Sequence, residues 1–301
     1  MLKIIVASGI VLLFSCVTAR ADYLSDRKAA LALVQAGKDA EALTAFTNMA
    51  GSAPSDLQKS DALEQAAGCA NRMKQYDRAL ELAKTIPIPA LSKKCRMTLL
   101  HENGKYSELI AEFKTEDIDH WPTSTARGGA FYSRGTAFFQ LKDGQAAAAD
   151  LKKAAKYSAE YSSEERWDTL GLAWLMLGET YRHLLKDDKK ALEAYGEGIK
   201  MVRDGGGYHY TLGAVWSAAD ILCKQGKYDE ALEVLGKIDL KKQEGAWGMT
   251  FYCAYADTLA GQGKKEEAIA KFNEALTVKG ATEAQKAACE KRIKELQGKT
   301  E

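Results

Sequence analysis

The sequence predicts an all-α protein of about seven two-helix hairpins closed by a C-terminal capping helix. Three observations predict it. Alanine, leucine, lysine and glutamate dominate beyond Asp22, and β-branched runs are rare, which favours helix over strand. The four prolines, Pro54, Pro87, Pro89 and Pro122, fall between helical patterns, where a missing N–H does least harm. One short phrase also recurs seven times along the chain.

The phrase reads AGKDAEALTAF, MKQYDRALELA, NGKYSELIAEF, KDGQAAAADLK, KDDKKALEAY, QGKYDEALEVL and QGKKEEAIAKF in turn. Each copy has a Gly, Lys or Asp turn, one or two polar residues, and then a small apolar anchor opening a new helix. The anchors are Ala42, Ala79, Leu109, Ala147, Ala191, Ala231 and Ala268, spaced 30 to 44 residues apart. That spacing fits one helical hairpin per copy. A glycine ahead of the turn takes the left-handed conformation that ends a helix. A small anchor lets the second helix cross the first closely. An apolar residue four positions on (Phe46, Phe113, Tyr195, Leu235, Phe272) fills the gap between hairpins.

The hairpins are expected at about 23–54, 60–87, 90–116, 128–157, 170–203, 211–239 and 248–277, with the cap at 281–297. The cap, ATEAQKAACEKRIKELQ, is polar over much of its surface, as the end of a stacked array should be. Residues 116–127 and 158–169 read as longer connections, and Arg203–Tyr210 as a loop hinge around Gly205–Gly207.

In WLMLGETY, Trp174, Leu177, Gly178 and Tyr181 fall at i, i+3, i+4 and i+7, one face of a helix. Gly178 costs that helix roughly 1 kcal/mol in propensity. The spacing resembles the W-x2-L-G-x2-Y signature of the tetratricopeptide repeat, with Ala191 and Tyr195 as its second-helix residues. Gly135 recurs in the same register one hairpin earlier. The loop LLKDDKK is one residue longer than the family's. The second and third units lack the tryptophan and the mid-helix glycine. The resemblance covers about Tyr23–Leu276 and implies a right-handed α-solenoid. Gly178 would then let its helix lie close to the second helix of its own hairpin.

The first residues read as a leader. Lys3 precedes an apolar run from Ile4 to Phe14, and Ala19-Arg20-Ala21 supplies small residues for a signal peptidase. Residues 1–21 are expected to be removed, giving an exported chain, periplasmic or extracellular. A second reading uses Leu13-Phe14-Ser15-Cys16 as a lipidation box, with Cys16 acylated and the protein anchored to the envelope. No other apolar run is long enough to span a bilayer.

Composition narrows the function classes. The formal net charge of +1 offers no basic field for nucleic acid. Of six cysteines, Cys69, Cys95, Cys223, Cys253 and Cys289 follow the leader, an odd and scattered set unlike a disulfide framework. There is no CxxC pair and no ligand-like histidine spacing, so no metal site is expected. No nucleophile elbow, P-loop, dinucleotide fingerprint or HExxH occurs, so neither an enzyme nor a cofactor is expected. An acid pair of the glycosidase kind would need a raised pKa and other catalytic parts, and none is visible.

The resemblance implies a concave groove lined by first helices, holding a protein or peptide partner. Carried onto this sequence, the groove positions include Glu179, Asp220 and Asp257 at equivalent registers, an acidic ladder. Arg182, His183 and Lys224 lie a turn further on, and Tyr132 and Trp216 supply aromatics. The alternative is a solvated face stabilised by Glu179–Arg182 and Asp220–Lys224 pairs, each contributing a few tenths of a kcal/mol. Asn71, Arg72, His101 and Glu102 could extend the groove, although His101 also reads as an exposed helix-end residue. The expected function is a non-catalytic scaffold or adaptor in the cell envelope. The lipid-anchored assembly or secretion factor is its alternative.

Overall fold

The structure, a computed structural model, describes residues 22–160, 165–201 and 209–298. The leader readings, Cys16 included, and the Gly205–Gly207 connector lie outside the described residues. Among those residues every regular element is helical. In order they are α1 (22–35), α2 (Asp39–Ser52), α3 (Asp56–Arg72), α4 (Tyr76–Lys84), α5 (Pro89–Glu102) and α6 (Tyr106–Phe113). Then follow α7 (Ser124–Gln140), α8 (Gly144–Ala159), α9 (Glu165–Glu179), α10 (Asp188–Ile199), α11 (His209–Lys224) and α12 (Tyr228–Leu235). The last three are α13 (Gly245–Gly261), α14 (Lys265–Leu276) and α15 (Glu283–Leu296).

The chain divides between Ala126 and Arg127 into two compact units. In the first, α2 packs on α3, α3 on α4, α4 on α5, and α3 also on α5. In the second, the sequence runs α8 to α9, α9 to α10, α10 to α11, α11 to α12, α12 to α13, α13 to α14 and α14 to α15. There first helices also touch in sequence from α9 on: α9 with α11, α11 with α13, α13 with α15. This is the packing order of stacked helical hairpins.

The recurring phrase explains that order. All seven anchors, Ala42, Ala79, Leu109, Ala147, Ala191, Ala231 and Ala268, are 0% exposed. Four residues on, Phe46, Ala83, Phe113, Leu151, Tyr195, Leu235 and Phe272 are each at most 1% exposed. A small residue one turn before a larger one lets neighbouring helices approach and then fills the space between them.

Five residues before each anchor the backbone is left-handed. Gly37, Gly104, Gly226 and Gly263 occupy this position at φ 67° to 82°. Lys74, Lys142 and Lys186 occupy it in the other three hairpins, at φ 60°, 66° and 55°. A side chain there crowds the following carbonyl, and glycine relieves the strain at some cost in unfolded-chain entropy. Lys74→Gly and Lys186→Gly are therefore each expected to stabilise the fold by about 0.5–1 kcal/mol. Urea denaturation midpoints measure this. Lower midpoints in both variants would refute the strain argument.

The long loop after α9 has a structural counterpart. In the hairpin turns closed by Lys38, Gln75, Lys105, Asp143, Lys227 and Lys264, the N–H reaches back five residues to a helix carbonyl. In the fifth hairpin, Asp187 N–H reaches back six, to Tyr181 O at 2.9 Å. The extra residue is accommodated as a π-helical turn over Thr180–Leu184.

Local signals account for several helix starts. Ser55, Asp143, Asp187 and Thr282 accept backbone N–H bonds at their N-caps, and Thr282 with Gln285 completes a capping box. Pro89 sits inside the first turn of α5 and not in a linker; its missing N–H has no partner to lose there. The expected long connection after α6 contains the 3-10 turn Ile118–His120 and buries Ile118 and Trp121. Trp121 Nε1 donates to Glu116 Oε1 at 3.2 Å, and Lys93 pairs with the same carboxylate at 2.8 Å.

Candidate functional site

The first helices of the second unit carry the groove residues. Trp216 and Asp220 are on α11, Asp257 is on α13, and α15 supplies Arg292 alongside them. Between these helices lies an open groove of about 450 Å³. Its floor is apolar, built from Ala219, Met249, Ala254, Phe272 and Ala288, and Cys223, Cys253 and Cys289 also line it. Asp220, Asp257 and Arg292 mark its polar edges. Trp216 borders it with 39% of its surface exposed, large for a tryptophan.

The three acids of the ladder are each already bonded. Glu179 Oε1 accepts from Tyr195 Oη at 2.6 Å and from Ser217 Oγ at 2.9 Å, and its other oxygen meets His183 Nε2 at 3.0 Å. Asp220 accepts from Lys224 Nζ at 2.8 Å and from Arg182 of the preceding hairpin. Asp257 accepts from Arg292 Nη2 at 2.7 Å. Asp220–Lys224 is thus the expected helical pair. Arg182, however, reaches across to α11 and pairs with Asp220. The π-turn over Thr180–Leu184 sits where Arg182 leaves the register assumed for a regular helix.

The bonded positions repeat. Glu179–Ser217 and Arg182–Asp220 link α9 to α11, Cys223–Thr258 links α11 to α13 at 3.2 Å, and Asp257–Arg292 links α13 to α15. The first unit has the same kind of seam. Arg27 meets Asp61 in a bidentate pair at 2.7 and 3.0 Å, Lys94 meets Glu64 at 3.0 Å, and Asn71 meets Glu102 at 2.9 Å. A polar residue on one first helix therefore bonds its counterpart on the next. Asn71 and Glu102 join this seam, and Arg72 turns instead to Asp39. His101 is not exposed: it is half-buried, edge-on to Tyr106 with ring centroids 6.1 Å apart, and burial lowers its pKa.

Electrostatics follow the pairing. Burial alone would raise the Asp220 pKa, but the bonds from Lys224 and Arg182 override it and hold the carboxyl below its usual range. Arg292 is held above its ordinary value by Asp257 and then Glu295. Burial, followed by the bond to Glu179, raises Tyr195. Asp220 thus stays ionised and salt-bridged at neutral pH, a poor general acid or base. Among the described residues no cluster of His, Cys, Asp or Glu could hold a metal ion.

The sequence-derived residues separate in space. Trp216, Asp220 and Asp257 line the groove, and Lys224 sits at its edge through Asp220. Glu179, Arg182 and His183 belong to the adjacent α9–α11 seam. Tyr132 lies on α7 and does not line the groove. Sequence reasoning passed over the α15 wall, including Cys289 and Arg292, because this helix read only as a polar cap. The repeat phase carried the missing signal: Cys253 follows Trp216 by 37 residues, and Cys289 follows Cys253 by 36.

The fold and its groove define a helical-hairpin repeat protein with an open, non-enclosed site. Residues 250–282 match the family model for the tetratricopeptide repeat. That stretch, on α13 and α14, carries the tetratricopeptide-repeat pattern. Solved structures resemble it at low identity. One is a tetratricopeptide repeat protein from Parabacteroides merdae, at 17% identity and TM-score 0.47, covering 91% of this chain and 98% of that one. Another is the C-terminal part of a TPR repeat-containing protein from Cytophaga hutchinsonii, at 15% identity and TM-score 0.49, covering 91% and 96%. A third is BtubC from P. vanneervenii, at 13% identity and TM-score 0.48, covering 81% and 91%. No curated protein matches this chain in sequence. Among the described residues no helix is long and apolar enough to cross a membrane.

Proposed function

We propose that this chain is a non-catalytic scaffold of the cell envelope that holds a segment of a partner protein in the α11–α13–α15 groove. The observation that carries this reading is the groove's make-up. Its floor is apolar, Trp216 stands exposed at its border, and its edge charges are neutralised in pairs. A paired edge adds little affinity of its own, so the partner's apolar side chains supply most of it. Hairpins cross-linked by the polar seam present these side chains preorganised, which limits the ordering entropy lost on binding.

A photo-crosslinking residue placed at Trp216 or at Thr250 in native cells tests the site. Both positions line the groove. Glu233, whose side chain on α12 is 78% exposed, is the control. Adducts from the groove positions but not from Glu233 are expected. Adducts only from Glu233 would overturn the assignment. Trp216→Ala should then weaken capture about tenfold or more, the loss expected for an aromatic anchor.

The envelope location rests on the leader pattern of residues 1–21. The N-terminus of the mature chain tests it and separates the two leader readings. A chain starting at Asp22 fits simple export. An acylated Cys16, with detergent partitioning abolished by Cys16→Ala, fits the anchored form. An intact Met1 on the protein in cells would contradict both.

A further inference from the structure

Cys253 on α13 and Cys289 on α15 face the same groove and belong to the same core cluster. The two thiols lie close enough to perturb each other electrostatically, and Cys289 Sγ donates to the Phe272 carbonyl at 3.3 Å. Cys289 is 1% exposed, whereas Cys253 is half-buried and accessible from the groove. Both are reduced in this structure. The other thiols have different surroundings. Cys223 bonds Thr258 at 3.2 Å, and Cys69 accepts from Arg72 at 3.2 Å in the first unit.

We infer that Cys253 and Cys289 form a modification site at which a small disulfide entering the groove oxidises the pair to an intrachain disulfide, covalently joining α13 to α15. Cys253 is the entry thiol. It loses its proton to solvent, and its thiolate attacks one sulfur of the incoming disulfide. That S–S bond breaks, and one thiolate leaves and takes up a proton. The Cys289 thiolate then attacks the Cys253 sulfur of the mixed disulfide and expels the second thiol. The protein loses two electrons and two protons, and the small disulfide is reduced to two thiols. The bridge pins the capping helix to the hairpin before it, at the end of the array where a terminal helix otherwise frays.

Burial, with the Cys289 neighbour next, pushes the Cys253 thiol up to about 12, which makes uncatalysed exchange slow at neutral pH. The test therefore uses prolonged incubation of the purified full-length chain with oxidised glutathione at mildly alkaline pH. Alkylation of residual thiols and non-reducing peptide mapping follow. The expected product is a linked pair of peptides containing Cys253 and Cys289, an intact mass about 2 Da lower, and a higher thermal midpoint than the reduced chain. Cys289→Ser should stop the reaction at a single glutathione adduct on Cys253. Recovery of both cysteines alkylated, or linkage of Cys253 to Cys223, would overturn the inference. So would an adduct-free Cys289→Ser chain whose far-UV circular dichroism matches the parent.

Discussion

Gly178→Val is expected to lower stability by about 3 kcal/mol or more, well beyond the helical propensity difference. A Cβ at Gly178 would stand 2.2 Å from Tyr195 Cε1 and 2.5 Å from Cδ1. Tyr195 is 0% exposed, so its ring has no room to retreat. Its hydroxyl is also held by Glu179 at 2.6 Å, so a displaced ring would break that bond and leave the buried Tyr195 hydroxyl poorly satisfied. The glycine exists for this contact: α9 and α10 of one hairpin meet ring against backbone. Gly196→Ala is the control. Gly196 lies in α10 with no atom within 4 Å of a built Cβ. That change should be neutral or stabilising by up to about 1 kcal/mol. Denaturant unfolding of both variants decides the matter. Equal midpoints would mean that the Tyr195 contact does not shape the hairpin.

Asp150→Asn is expected to cost about 3 kcal/mol or more. Arg134 on α7 and Asp150 on α8 form a bidentate pair at 2.6 and 3.0 Å, with side chains only 10% and 9% exposed. The Arg134 guanidinium also lies over the Phe131 ring, 5.4 Å from its centroid. Neutralising Asp150 takes the bidentate acceptor away from a buried guanidinium, and that cost exceeds the net worth of the pair. Removing both differs in kind. The double variant Arg134→Met, Asp150→Leu should recover most of the loss, because no charge remains to be desolvated. Urea unfolding of the single and double variants gives the coupling. A double variant as unstable as Asp150→Asn would mean that packing, not charge, holds this hairpin.

These two sites differ in how far the sequence announces them. The WLMLGETY spacing shows that Gly178 faces a helix neighbour, because a glycine amid a strong helical stripe needs a close approach to offset its cost. Nothing local marks Arg134 and Asp150 as a buried pair. Both sit in a helix rich in alanine and lysine or in glycine and aromatics, and exposure is the usual fate of such residues. Their burial follows from where α7 meets α8.

The groove shows the same division. Register placed Trp216, Asp220 and Asp257 on corresponding faces, because helical periodicity is local. It could not say what each acid bonds. Arg182 meets Asp220 of the next hairpin, 38 residues away, and Arg292 of the capping helix meets Asp257 across 35. The three lysines at left-handed positions were equally hidden. Glycine announces such a turn, whereas Lys74, Lys142 and Lys186 adopt it only because the hairpin geometry imposes it.

By itself the sequence determined the hairpin array: small anchors, a larger residue one turn on, and breaks between them are local patterns that any chain segment carries with it. The tertiary structure alone decided the polar seam, the buried Arg134–Asp150 pair and the Cys253–Cys289 contact. Each joins side chains from different helices. Their distance depends on how whole helices stack, which no single segment encodes.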